Sequence, residues 1–130
     1  MYEITLPFPP SNNTYYRKFR GIIVLSPKGR LYRAEVSKLI AEDLSLKFGV
    51  SMFVFEGVAK VVLDLYPPDK RIRDIDNFQK ALFDGFQKSG IVYNDSQFKK
   101  LLVRLHCSDK LNPRVEVKIL SGDESLNILF

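Results

Sequence analysis

Two acidic residues one position apart are the side chains of this chain best suited to chemistry. Asp74 and Asp76 are separated by Ile75, so an extended backbone would project both carboxylates to the same side. Asp95 follows on a later loop, after a glycine turn, from which the chain can return to the acidic pair. Hard divalent cations such as Mg²⁺ prefer carboxylate oxygens together with water and substrate phosphate. The spacing therefore suits a metal site formed by the acidic pair, and Asp95 could close the cluster.

Basic side chains surround the acidic pair. Lys70, Arg71 and Arg73 precede it, and Lys80 follows one helical turn later if a helix begins at the second acid. Lys80 could then contact the scissile phosphate or orient an attacking water. A metal held inside a basic frame suits phosphodiester hydrolysis, because it lowers the pKa of bound water and stabilises charge on the leaving oxygen. The pattern predicts a nuclease.

Each of these residues also has a simpler interpretation. Asp76 or Asn77 could be a helix N-cap, which is worth about 1 kcal/mol. Lys80 could simply form an ion pair with Asp76 or Asp84, a contact worth roughly a few tenths of a kcal/mol, and have no other role. Asp95, with the asparagine before it, could belong to an ordinary turn. The acidic pair alone does not decide between these interpretations.

Composition limits the class of protein. A chain of 130 residues is long enough for one domain with a hydrophobic core, and its net charge of +5 suits a polyanionic partner. The single cysteine, Cys107, excludes an intramolecular disulfide and a cysteine-rich zinc site, and we expect it to be buried in a strand. No apolar run approaches the roughly 18 residues of a membrane span, and no signal peptide is recognisable. We therefore expect a cytoplasmic protein with no membrane partner.

Hydrophobic periodicity predicts the elements that must position these residues. Alternation and turn signals predict strands at 3–8, 21–25, 57–66, 99–107 and 114–120, the last two as an antiparallel pair. Apolar residues at four-residue spacing predict helices at 30–48 and 75–88. This order of elements predicts an α+β fold, a single domain in which a mixed β-sheet is covered by two main helices.

Three segments together resemble the RusA-type Holliday-junction resolvases, a family of small endonucleases of bacteria and their phages. They are Leu6 to Arg17 (LPFPPSNNTYYR), Arg73 to Asp84 (RDIDNFQKALFD), and Gly90 with Asn94 to Gln97 (NDSQ). The resemblance extends over most of residues 1–120, which we interpret as a RusA-like endonuclease domain, with residues 121–130 as a tail. Ile72 departs from the family, because it interrupts a basic run that is often unbroken there.

The resemblance implies roles for the residues of the predicted site. Asp74, Asp76 and Asp95 would be the catalytic, metal-binding carboxylates, Lys80 a catalytic or phosphate-contacting residue, and Asn77 a supporting residue. The family implies a homodimer that uses Mg²⁺, with Mn²⁺ as a substitute, to introduce paired symmetric nicks across four-way junctions in DNA recombination and repair. A two-fold protein suits a two-fold junction. The alternatives are a branched-DNA-binding module without catalysis and a metal-dependent nuclease acting on RNA or flap DNA.

Two clusters are predicted to contact DNA: the basic residues Lys70, Arg71 and Arg73 with Asn77, and the group formed by Tyr15, Tyr16 and Arg17. The basic residues are expected on phosphates rather than on base edges. The two tyrosines either stack on exposed bases or pack at the edge of the sheet.

The tail is apolar at 126–130 and resembles peptides that dock on bacterial sliding clamps. The alternative is that it packs within the protein or at a dimer interface.

Overall fold

The computed structural model describes residues 1–125 as one α+β domain, which confirms the predicted fold class. Its strands and helices are β1 (Tyr2–Pro7), α1 (Asn12–Tyr15), β2 (Tyr16–Phe19), β3 (Ile22–Leu25), α2 (Pro27–Phe48), β4 (Ala59–Tyr66), α3 (Gln79–Ser89), β5 (Phe98–Leu105) and β6 (Arg114–Ser121). None of the helices among these residues is long and apolar enough to cross a membrane. Residues 126–130 lie outside the described part, so docking of the tail on a sliding clamp stays a prediction.

The main sheet has four strands in the order β1-β6-β4-β5. β4 pairs with β5 in parallel and with β6 antiparallel, so the sheet is mixed, as predicted. The predicted pairing of the last two strands is wrong, because β4 lies between them. The turn after β5 therefore carries the chain across β4 instead of closing a hairpin. β2 and β3 form a separate two-stranded antiparallel sheet.

The core lies between the four-stranded sheet and the two long helices. The four-residue spacing in α2 buries Tyr32, Val36, Ile40 and Leu44, while α3 buries residues such as Phe86. Ser26 caps α2 by accepting a hydrogen bond from the Gly29 N–H, so the helix begins three residues before the predicted start. α3 begins at Gln79, four residues later than predicted.

A buried carboxylate stabilises the carboxyl end of β4, where the chain leaves the sheet towards the acidic motif. Asp64 accepts two hydrogen bonds from the Arg104 guanidinium, at 2.6 and 2.9 Å, and lies 2.7 Å from the His106 ring nitrogen. Burial raises the pKa of Asp64, but the hydrogen bonds to Arg104 and His106 outweigh it, so the pKa is lowered overall. Nearby, the Asp109 N–H donates to the Pro67 carbonyl at 2.8 Å. These hydrogen bonds therefore fix the start of the loop that leads from β4 to the acidic motif.

Candidate active site

The acidic motif forms a turn before α3. The Asn77 N–H donates to the Asp74 carbonyl at 3.2 Å, and the Gln79 side-chain amide donates to the Ile75 carbonyl at 2.7 Å. The expected extended backbone across the acidic pair is therefore wrong, because residues 75 and 76 lie in this turn. No side chain caps α3, so neither Asp76 nor Asn77 is its N-cap. Both acidic side chains are exposed to solvent.

The segment near the start of the chain packs against this turn. The Asn12 N–H donates to the Asn77 carbonyl at 2.9 Å, and the rings of Phe8 and Phe78 lie 5.1 Å apart. A cleft of about 490 Å³ opens between the two segments; its lining comprises Phe8, Pro9, Ser11, Pro68, Arg71, Ile72, Arg73, Asp74, Asn77 and Phe78. Two segments of the family resemblance, far apart in sequence, thus form the two walls of one cleft.

The predicted DNA-binding cations of the loop differ in what they contact. The Arg73 guanidinium turns back onto the loop, with 2.7 Å to the Asp69 carboxylate and 3.0 Å to the Asp69 carbonyl. The Arg71 N–H, followed by the Arg73 side chain, holds the pKa of Asp69 below its ordinary value. The Arg71 guanidinium lies 3.6 Å from the same carboxylate but its side chain is 84% exposed, and Lys70 is exposed as well. Arg73 thus stabilises the loop, while the side chains of Lys70 and Arg71 lie at the surface.

Lys80 lies on the first turn of α3 beside a carboxylate from the same helix. Its ammonium lies 3.1 Å from Asp84, which also accepts a hydrogen bond from the Tyr15 hydroxyl at 2.7 Å. The hydrogen bond to Asp84 raises the pKa of Lys80, with smaller contributions from Tyr16 and Asp95 and an opposing effect of burial. Lys80 is therefore held as a cation.

Asp95 lies beside α3, because the chain turns back towards this helix after it ends. It begins a short 3-10 helix, Asp95–Gln97, capped by the Asn94 side chain, and its N–H donates to the Gln87 side chain of α3 at 3.3 Å. Its carboxylate is close enough to Lys80 to raise the pKa of that lysine. The Asp95 carboxylate thus lies within electrostatic range of Lys80. Asp84 completes the cluster.

The three predicted metal ligands are not gathered around one point. Within residues 1–125, no three His, Cys, Asp or Glu side chains are placed to hold a metal ion. In the same residues, the side chains of Asp74, Asp76 and Asp95 have no hydrogen-bond or ion-pair partner. Carboxylate oxygens are the donors that Mg²⁺ prefers. The donor chemistry suits the metal, but the arrangement of the three carboxylates does not fit a single site in this conformation.

The two tyrosines have different surroundings. Tyr15 is fully buried and its ring packs edge-on against Tyr16 at 4.9 Å. Stacking of Tyr15 on DNA bases is therefore wrong for this structure, because its ring belongs to the core. Tyr16 is half-buried, and Arg17 is exposed on β2.

Asp84 belongs to the candidate site but was not among the predicted site residues. The sequence indicated it only as an alternative ion-pair partner of Lys80. The spacing of four residues on a helix indicates that contact. The contact between Tyr15 and Asp84 joins residues 69 positions apart, and no local signal in the sequence predicts it.

Comparison with known proteins places this chain in a family. Residues 7–120 match the family described as endodeoxyribonuclease RusA. The chain belongs to this family of endonucleases, which confirms the resemblance. The crossover junction endodeoxyribonucleases RusA of Escherichia coli (strain K12) and Shigella sonnei are each 44% identical to it over 96 residues, 74% of this chain and 75% of theirs. The crossover junction endodeoxyribonuclease of Enterobacteria phage 82 has the same identity and coverage.

Proposed function

We propose that this chain is a Mg²⁺-dependent endonuclease that resolves four-way DNA junctions by paired symmetric nicks during recombination and repair. The observation that carries the proposal is the family match, because residues 7–120 contain every segment of the candidate site. The name that the relatives carry, crossover junction endodeoxyribonuclease, agrees with two half-buried acids, Asp84 and Asp95, beside the Lys80 cation.

Each residue of the candidate site has a role in this proposal. The Lys80 ammonium, kept protonated by Asp84, would stabilise the negative charge that develops on the phosphate during attack. Lys70 and Arg71 would hold neighbouring phosphates at the cleft. Asp74, Asp76 and Asp95 would be the catalytic carboxylates. Gathering them around one ion requires an arrangement of the acidic turn different from the one described here.

We also propose that the enzyme acts as a homodimer. A four-way junction has two equivalent strands to cut, so a two-fold protein with two identical sites can nick both symmetrically. Within one chain, Lys80 and Asp84 on α3 and Asp95 beside that helix form a single cluster, which would supply one nick. The second nick would come from the partner.

The variants Asp74→Asn and Asp95→Asn test the proposal on synthetic four-way junctions and on plain duplex. Each should lower junction cleavage at least about 100-fold and keep junction binding, because each removes charge from the reacting centre rather than a phosphate contact. EDTA should abolish cleavage by the wild type. Glu42→Gln is the matched control, because it replaces an exposed carboxylate on α2 by a carboxamide. This variant should cut junctions normally.

Three results would contradict the proposal. Binding of junctions without cleavage by the wild type would indicate a non-catalytic module. Equal cleavage of duplex, flap DNA or RNA would indicate a different nuclease. Cleavage that survives both aspartate substitutions would remove these residues from the site.

A further inference from the structure

The β2–β3 hairpin is a separate two-stranded sheet whose residues are mostly exposed to solvent. Arg20 and Gly21 form its two-residue turn, and both have left-handed backbone angles, φ 52° and 77°. Such turns match the twist of the strands that they join, and they fix the register on either side. Phe19 is paired directly with Ile22 across the turn. The end of the hairpin is therefore a defined structure.

This end carries large apolar side chains in contact with solvent. Phe19 is 52% exposed and Ile22 is 64% exposed. Because paired residues on two strands lie on the same face, the two side chains form one apolar surface. Full burial of such side chains is worth about 1.5–3 kcal/mol each, and residues 1–125 leave much of this area in water. The surface is thus suited to a partner.

The charges around the apolar pair indicate the nature of that partner. The Arg17 and Arg20 guanidinium carbons lie 5.7 and 5.3 Å from the centre of the Phe19 ring. The segment from Tyr16 to Leu25 contains three cationic residues and no acid. A second copy of this hairpin would bring like charges together. A polyanion with apolar faces between its charges, which is what stacked bases and phosphates provide, is complementary to it.

The root of the hairpin lies at the candidate active site. Tyr16, its first residue, is close enough to Lys80 to affect the pKa of that lysine, and Tyr15 before it donates to Asp84. Phe19 is three residues further along β2, which corresponds to roughly 10 Å of strand. DNA held at Lys80 would therefore lie within reach of the apolar pair.

We propose that the β2–β3 hairpin is a wedge that inserts Phe19 and Ile22 between bases at the branch point of a junction. Arg17 and Arg20 bind the adjacent phosphates. The inference rests on the proposed function, since it concerns the same substrate. Inserting apolar side chains between base steps costs a few kcal/mol of stacking, and this cost is lowest where stacking is already interrupted. The hairpin thus selects branched DNA over continuous duplex.

The test uses junctions that carry 2-aminopurine at the branch point, whose fluorescence rises when the base is unstacked. In EDTA, the wild type should raise this fluorescence on the junction and leave the same label in a duplex unchanged. Phe19→Ala combined with Ile22→Ala should lose most of the rise. The double variant should also cut junctions roughly tenfold more slowly or worse, given that one base–aromatic stack is worth about 1–3 kcal/mol.

Two matched controls remove an exposed apolar side chain but leave Phe19 and Ile22 in place. Ile23→Ala changes the opposite face of the same hairpin, where the side chain is 66% exposed, and Leu46→Ala changes α2, where it is 87% exposed. Both should behave as the wild type. All of these side chains are exposed, so the variants should fold normally, which circular dichroism and thermal unfolding would verify.

The results that would overturn the inference are separable from those that would overturn the proposed function. A double variant with unaltered fluorescence and cleavage, in an enzyme that still cuts junctions, overturns the wedge alone. A double variant that becomes monomeric while the wild type sediments as a dimer makes the hairpin a protein interface instead. A wild type that neither binds nor cuts junctions overturns the proposed function, and the wedge with it.

Discussion

Lys80 owes its position and its charge to Asp84. The ion pair of 3.1 Å and the hydrogen bond from Tyr15 make Asp84 the point at which the start of the chain meets α3. Sequence spacing indicates the first contact, since the two residues are four apart on a helix. It does not indicate the second, because Tyr15 reaches Asp84 only through the tertiary fold.

Asp84→Asn should lower the pKa of Lys80 towards its ordinary value, because the carboxylate is the main cause of the raised pKa. If the protonated lysine stabilises the phosphate, activity at the alkaline end should disappear at a lower pH in the variant than in the wild type. Cleavage at neutral pH should fall about tenfold, since Lys80 is no longer positioned. Single-turnover cleavage across pH measures both effects, and an NMR titration of the Lys80 ammonium gives the pKa independently.

The chain offers its own control for this variant. The Tyr2 hydroxyl donates to Asp43 at 2.7 Å, and Asp43 pairs with Lys47 at 3.1 Å, the same arrangement at a different place. Asp43→Asn should destabilise the fold to a similar degree and leave cleavage unchanged. Equal loss of cleavage in both variants, or an Asp84→Asn pH profile identical to that of the wild type, would contradict a positioning role for Asp84.

The α2–α3 contact depends on a glycine. A Cβ added at Gly85 would lie 2.6 Å from a methyl carbon of Val36, closer than real carbon contacts allow. Gly85→Ala should therefore lower the free energy of unfolding by about 1–3 kcal/mol. This loss occurs although alanine is favoured over glycine in helices by about 1 kcal/mol. Chemical denaturation measures the change.

Two further variants test the same close contact between α2 and α3. Val36→Ala in the Gly85→Ala background should restore part of the lost stability, because it removes the methyl groups that clash. Gly57→Ala, whose added Cβ would meet nothing within 4 Å, should change stability by no more than about 0.5 kcal/mol. If Gly85→Ala were as stable as the wild type, the helices would not be in close contact at this residue.

Local patterns predicted the existence of the main elements better than their ends and pairing. Alternation identified β4 and β6, but side-chain pattern carries no information on which strands are neighbours, so the insertion of β4 between β5 and β6 was missed. The predicted start of α3 is too early, because residues 74–79 form a turn closed by the Asn77 backbone N–H and the Gln79 side-chain amide, which hydrophobic spacing does not indicate. Cys107 was expected in the core and is exposed, since β5 already ends at Leu105.

Positive charge is concentrated in two separate segments of the chain near the candidate site. One group is on the hairpin, and the other, including Lys70 and Arg71, is on the loop before α3. The sequence predicted each charged segment and the residue types of the site. It did not predict their mutual arrangement, because that depends on long-range contacts such as the hydrogen bond between Asn12 and Asn77.

Junction binding should therefore weaken steeply with salt, as phosphate contacts release counterions. Lys70→Gln should reduce the slope of log K against log salt by about 1, uniformly across junction sequences. Lys38→Gln on α2, where the side chain is 74% exposed, is the matched control and should leave the slope unchanged. Titrations by fluorescence anisotropy at several KCl concentrations give the slopes. Identical slopes for Lys70→Gln and the wild type would place Lys70 away from the DNA.

The position of β6 inside the sheet has a consequence for how the molecule is made. β6 pairs with β1 on one side and β4 on the other, although it is the last strand of residues 1–125. β1 thus has no partner in the sheet until nearly the whole domain has left the ribosome. Folding that waits for such distant pairings is slow, and unpaired strand edges invite association between chains. Interrupted synthesis before Arg114 should therefore yield an aggregating chain rather than a smaller nuclease.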